Sequence, residues 1–129
     1  MGSRGTFIKE GGFSKTLWKK VGTIEGVKIL DYTGNNQTIP ERSNTPGTTY
    51  ITYKKDGSRK GKFDKLIVFD NNRMPIFRID YGQHDGISFL HYHIYNSKGN
   101  IISDAIPLHT TNPLYKKYEN IINHILPRR

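Results

Sequence analysis

Between Arg78 and Tyr95 the chain reads RIDYGQHDGISFLHYHIY, and its apolar and polar residues alternate with period two. In an extended strand, alternate side chains face opposite sides. Phe77, Ile79 and Tyr81 then share one side of a first strand, and Arg78 and Asp80 share the other. In a second strand, Leu90, Tyr92 and Ile94 form a core-facing row, while Phe89, His91, His93 and Tyr95 point away from it. Gly82 to Gly86 reads as the connecting loop, so the two strands form an antiparallel hairpin. Such pairing gathers Arg78, Asp80, His91 and His93 on one polar face, with His84 on the loop at its mouth.

A chain of 129 residues is the size of one domain. Apolar residues are only 34% of it, but aromatics reach 12% and supply large buried areas per residue. The expected core is thin and aromatic-rich. Lys and Arg number 20 against 11 Asp and Glu, a formal charge of +9. That excess points to an anionic partner: nucleic acid first, then an acidic protein, then an anionic membrane surface. No run approaches the ~18 apolar residues of a membrane span. Cysteine is absent, which excludes disulfides, thiolate zinc sites and a cysteine nucleophile. The glycine signatures of nucleotide phosphate loops do not occur, so kinase, ATPase and dehydrogenase chemistry is set aside.

Residues 1–12 read as a flexible lead-in, with Met1-Gly2-Ser3 resembling a cloning remnant, and 13–129 as a single domain. Phe13, Leu17, Trp18 and Val21 have the spacing of a short N-terminal helix capped by Ser14. Strands are expected at Gly26 to Tyr32, Thr48 to Lys54, Phe63 to Asp70, Ile76 to Tyr81, Ser88 to Tyr95 and Asn100 to Ser103. Gln37 to Gly47 is a polar loop without a core face. Asn112 followed by Pro113 starts a C-terminal amphipathic helix running through Leu126, where Pro127 stops it. The expected class is α+β: the short helix, an antiparallel meander of four to six strands, and the C-terminal helix packed on the sheet.

Cutting RNA without a metal takes a base at the 2′-oxygen, an acid at the departing 5′-oxygen, and positive charge for the phosphate between them. Groups on opposite sides of one phosphorus stand about 6–8 Å apart, given hydrogen bonds of about 2.8 Å. Residues i and i+2 of a strand are separated by about 6.6 Å. His91 and His93 have that spacing, and imidazole serves either role near neutral pH. Arg78 is the expected phosphate fork, Asp80 the orienting carboxylate, and His84 an assisting acid or base. The run Lys54 to Lys62 carries five cations in nine residues. Lys54, Lys55, Arg59, Lys60 and Lys62 are expected to track an RNA backbone, with Tyr95 as a stacking platform and Thr49 as an assisting hydroxyl. His109 and His124 read as structural or surface residues. Two alternatives use the same residues: a metal-dependent nuclease built on the HxH pair, or a nucleic-acid-binding or phage structural module without chemistry.

The run FDNNRMPIFRIDYGQHDG followed by HYHIY resembles the C-terminal toxin domains of bacterial polymorphic toxins. In those, a strand ending in Asp and an aromatic is followed by a His-Gly turn and then a paired-histidine strand. Asp80-Tyr81, His84, His91 and His93 are the matching residues, although Asp85 separates His84 from Gly86. The order of elements is also similar to the fold of barnase, the EndoU nucleases, RNA-cleaving colicins and RelE. The resemblance implies a metal-independent ribonuclease without cofactor, acting on tRNA or another cellular RNA and leaving 2′,3′-cyclic phosphate and 5′-hydroxyl ends. It also implies an acidic immunity protein as partner, with the domain monomeric outside that complex. Delivery would be as the end of a secreted or surface polypeptide, with action in the target cell's cytoplasm.

Overall fold

The computed structural model describes residues 7–8, 17–34, 38–40, 42–43, 45–82 and 89–127. Among these, the strands in chain order are β1 (Phe7–Ile8), β2 (Trp18–Ile24), β3 (Val27–Tyr32), β4 (Arg42–Ser43), β5 (Thr49–Tyr53), β6 (Phe63–Phe69), β7 (Pro75–Tyr81), β8 (Leu90–Ile94) and β9 (Ile106–Pro107), followed by helix α1 (Pro113–Ile122). β1 and β4 pair as a small ribbon, and the other seven strands form one sheet in the order β2-β3-β5-β6-β7-β8-β9. The class is α+β, as expected, with strand dominating.

The N-terminal helix is not there. Residues 13–16 lie outside the described residues, and Trp18–Ile24 is the edge strand β2. Two local facts favour the strand. Val21, Thr23 and Ile24 are β-branched, and Glu25 and Gly26 adopt φ of 52° and 78°, the pair of left-handed residues a two-residue hairpin turn requires. Helical spacing of four apolar residues loses to a turn that folds β2 directly onto β3. Of the expected lead-in, residues 1–6 and 9–12 lie outside the described residues, and Phe7–Ile8 pairs with β4.

The sheet is mixed rather than an antiparallel meander, and its seven strands exceed the four to six expected. β3 and β5 run parallel, with Ile29 opposite Ile51, and a parallel pair needs a crossover instead of a tight turn. The chain between them was expected to lack a core face, yet Ile39 in it is 4% exposed and packs with Trp18 and Tyr50. From β5 to β8 the strands follow one another antiparallel, as the short turns of the sequence suggest. The expected strand at Asn100 to Ser103 shrinks to a single bridge between Tyr95 and Ile101.

Asn112 caps α1 as its sequence indicates, its side chain accepting from the Leu114 amide at 2.8 Å. The helix stops at Ile122 instead of Leu126, with Asn123 as its C-cap. Beyond it, the Leu126 amide donates to Gly61 O at 2.9 Å. This tail lies against the turn so closely that a Cβ on Gly61, at φ 85°, would stand 2.9 Å from Leu126 O. The helix therefore gives way to a contact with the β5–β6 turn.

Both faces of the sheet are covered. On one, Ile51, Tyr53, Phe63, Leu66 and Ile79 pack under Tyr118, Ile121 and Ile122 of α1, and the Tyr53 hydroxyl donates to Ile121 O at 2.9 Å. On the other, Trp18, Leu30, Ile39, Tyr50, Ile67, Phe69 and Tyr95 form a second cluster. Burying side chains of this size is worth about 1.5–3 kcal/mol each. Among the described residues no helix is long and apolar enough to cross a membrane.

Candidate active site

The β7–β8 register places Arg78 opposite His93 and Asp80 opposite His91. Directly opposite residues in an antiparallel pair point to the same face, so all four side chains meet, as the alternation requires. The face is the one away from α1. Carried across the sheet, the pairing makes one row of Thr52, Lys65, Asp80 and His91, and a second of Tyr50, Ile67, Arg78 and His93.

Asp80 is the hub. Its two oxygens accept from Arg78 Nε at 2.9 and 3.1 Å. His91 Nε2 and His93 Nε2 stand 3.7 and 3.8 Å from the same oxygen, Oδ2. Those lengths exceed a hydrogen bond, and Asp80 attracts either imidazole only when that ring is protonated. The rings lie perpendicular with centroids 5.3 Å apart, closer than the spacing of about 6–8 Å expected for groups on opposite sides of one phosphorus, because both rings turn in toward Asp80. His93 Nδ1 faces Ser103 O at 3.4 Å. A carbonyl only accepts, which assigns the neutral-ring proton to Nδ1 and leaves Nε2 as the lone-pair nitrogen inside the cluster. Arg78 also reaches the Tyr95 hydroxyl through Nη1, at 3.4 Å.

The site is more enclosed than a polar strand face suggests. His91 is 2% exposed and His93 3%, whereas Ile94, assigned by alternation to the core, is 39% exposed. Arg78 and Lys65 are more open, their side chains 18% and 26% exposed.

Sequence reasoning passed over a second acid–base group in the same band. Asp64, 1% exposed in its side chain, meets Lys65 Nζ at 3.3 Å and Lys54 Nζ at 3.6 Å, and Thr52 Oγ1 donates to it at 3.5 Å. A register shift between Thr52 and Tyr53 leaves Asp64 as the extra residue of a β-bulge, a device that re-aims side chains beside functional sites. The signal was present in FDKLIVFD: an Asp-Lys pair inside the most apolar strand needs a buried partner.

The remaining residues singled out from sequence are scattered. His84 lies outside the described residues. Lys55 Nζ donates to Tyr32 O and to Gly34 O, and pairs with Asp31 at 3.5 Å, bracing the end of β3. Arg59 stacks its guanidinium 3.4 Å over the Tyr81 ring and donates to Phe63 O at 2.7 Å. Lys60 and Lys62 are exposed on the turn. Thr49 pairs with Val68 in the register that faces α1, on the opposite side of the sheet from the histidines.

One ligand atom each from Asp80, His91 and His93 lies within 4.8 Å of the others, a donor set that suits one divalent cation. Arg78, always charged, already neutralises Asp80 and sets a guanidinium beside any such ion. No known family, curated protein or solved structure matches the chain.

Proposed function

We propose that the chain is a metal-independent endoribonuclease that cleaves by internal transesterification. The observation that supports this reading is the convergence of two imidazoles on a carboxylate held by Arg78. One imidazole takes the proton of a ribose 2′-hydroxyl, and the resulting oxygen attacks phosphorus. The second gives a proton to the departing 5′-oxygen, so that a 2′,3′-cyclic phosphate and a 5′-hydroxyl result. His93 Nε2, the lone-pair nitrogen, fits the base, and His91 the acid. Arg78 and Lys65, the open members of the cluster, mark the side from which the phosphate reaches the buried rings and stabilise the charge that develops on it. The +9 charge supplies long-range attraction for RNA. The same surface suits an acidic immunity protein, and the resemblance to toxin domains suits delivery on a larger polypeptide into a target cell's cytoplasm.

The 4.8 Å grouping of Asp80, His91 and His93 favours a second reading, a metal-dependent nuclease. Incubation with total cellular RNA in excess EDTA separates the two. Fragments ending in cyclic phosphate, made by wild type and not by His91→Gln or His93→Gln, support the metal-free mechanism. Cleavage that needs added zinc or magnesium overturns it in favour of the metal site, and RNA left intact under all conditions overturns both.

A further inference from the structure

A cleft of about 280 Å³ opens on the α1 side of the sheet, between the β5–β6 hairpin, the start of β8 and the chain after α1. Its lining carries the cations Arg59 and Lys62 together with His124, with no acidic side chain among the described residues, and its floor includes Phe63, Leu90 and Ile122. Cations around an apolar floor fit a ligand that is both flat and anionic. Aromatic surface adjoins it. Tyr81, also in the lining, carries Arg59 on its ring and meets Phe89 edge-on at 6.0 Å. Phe89 is 66% exposed and holds φ at 64°. A bulky residue in the left-handed region costs free energy, and such strain collects where a side chain must be presented. Here it presents a phenyl ring to solvent.

The cleft lies one residue beyond the histidine cluster along the same strands. Tyr81 pairs with Leu90, next to the pair of Asp80 with His91. Because consecutive side chains alternate in face, the two sites sit on opposite faces at one end of the sheet.

We propose that this cleft is a nucleotide subsite. It holds the base of an unpaired RNA residue on the edge made by Tyr81 and Phe89, and that residue's phosphate among Arg59, Lys62 and His124. The inference rests on the ribonuclease reading and narrows its substrate to single-stranded RNA, since a base in a duplex has no free face to stack. His124 is then a ligand-facing residue and not merely a structural one.

The test is a titration of isotopically labelled protein with the four 5′-mononucleotides, with adenosine and inorganic phosphate as separate probes, followed by NMR. The expected result is saturable shifts of the His124 and Phe89 rings with mononucleotides, and binding much weaker for adenosine or phosphate alone. Phe89→Ala and Lys62→Glu, both at exposed positions, should weaken mononucleotide binding by about fivefold or more, the lower end of the effect of one stacked base. Phosphate binding as tightly as the nucleotides, shifts confined to other surfaces, or variants that bind like wild type would each overturn the subsite. Binding is read without turnover, so a protein that binds nucleotides but cuts no RNA loses the ribonuclease reading and keeps the subsite. One that cuts RNA, with KM unchanged in Phe89→Ala, does the reverse.

Discussion

Tyr50 and Thr52 stand two residues apart on β5, share a face of the sheet and are both 0% exposed, yet their surroundings are built on opposite principles. Around Tyr50 are Trp18, Ile67, Phe69 and Tyr95, with the Phe69 ring edge-on at 5.7 Å. Its phenol is satisfied by Ser43 Oγ at 2.7 Å. Beside Thr52 stand Asp64 and Lys65, and its row runs on across the sheet through Asp80 to His91. Arg78 and His93 form the border. The first half stabilises the fold by taking apolar surface out of water. The second pays desolvation for two carboxylates and recovers it only through their paired cations, so it adds little net stability.

Exchanging imidazole for a side chain of similar reach tests the polar half first. His91→Gln and His93→Gln should each lower RNA cleavage by about 10²–10⁴-fold, the usual contribution of a positioned acid or base. Their urea midpoints should stay near wild type; a large fall in midpoint with unchanged cleavage would make this half ordinary core. In the apolar half the pattern reverses. Phe69→Ala should cost about 3–5 kcal/mol of stability, read by equilibrium unfolding, while cleavage per folded molecule is retained.

Removing both lysines from Asp64 comes next. Lys54→Met with Lys65→Met leaves a carboxylate 1% exposed without its cations and should cost about 3 kcal/mol. Substituting Asp64→Asn as well should restore much of that loss, and failure of the rescue would argue against pairing as its source. The smallest effect belongs to the hydroxyl that ties the sheet to α1. Tyr53→Phe removes the bond to Ile121 O and should cost about 1 kcal/mol. It should also soften alkaline unfolding. Burial raises the pKa of both Tyr53 and Tyr50 above the ordinary 10.0, so their contribution is complete below pH 10.0 and is lost as pH climbs through the folded-state values. An alkaline limb identical in Tyr53→Phe and wild type would place that sensitivity elsewhere.

The features legible in the sequence are local or nearly so. Although the register that sets Arg78 against His93 and Asp80 against His91 is read from the structure, alternation was enough to gather Arg78, Asp80, His91 and His93 on one face, because side-chain direction follows from each strand's own period. Asn112 with Pro113 marked the start of α1 for the same reason: capping is settled within one turn. Other features depend on how the strands are arranged around one another. Trp18 to Ile24 is an intermediate case: its spacing accepts helix or strand, and the Glu25-Gly26 turn onto the adjacent β3 settles it. The parallel step between β3 and β5, the buried Ile39, and the bulge that turns Asp64 toward Thr52 and Lys65 all follow from which strands lie side by side, a choice made by the summed burial of two sheet faces. Alternation likewise shows that two rows of side chains face opposite ways, but not which row lies deeper. Here the histidines went under and Ile94 stayed out, because the depth of a face depends on what the rest of the chain packs against it.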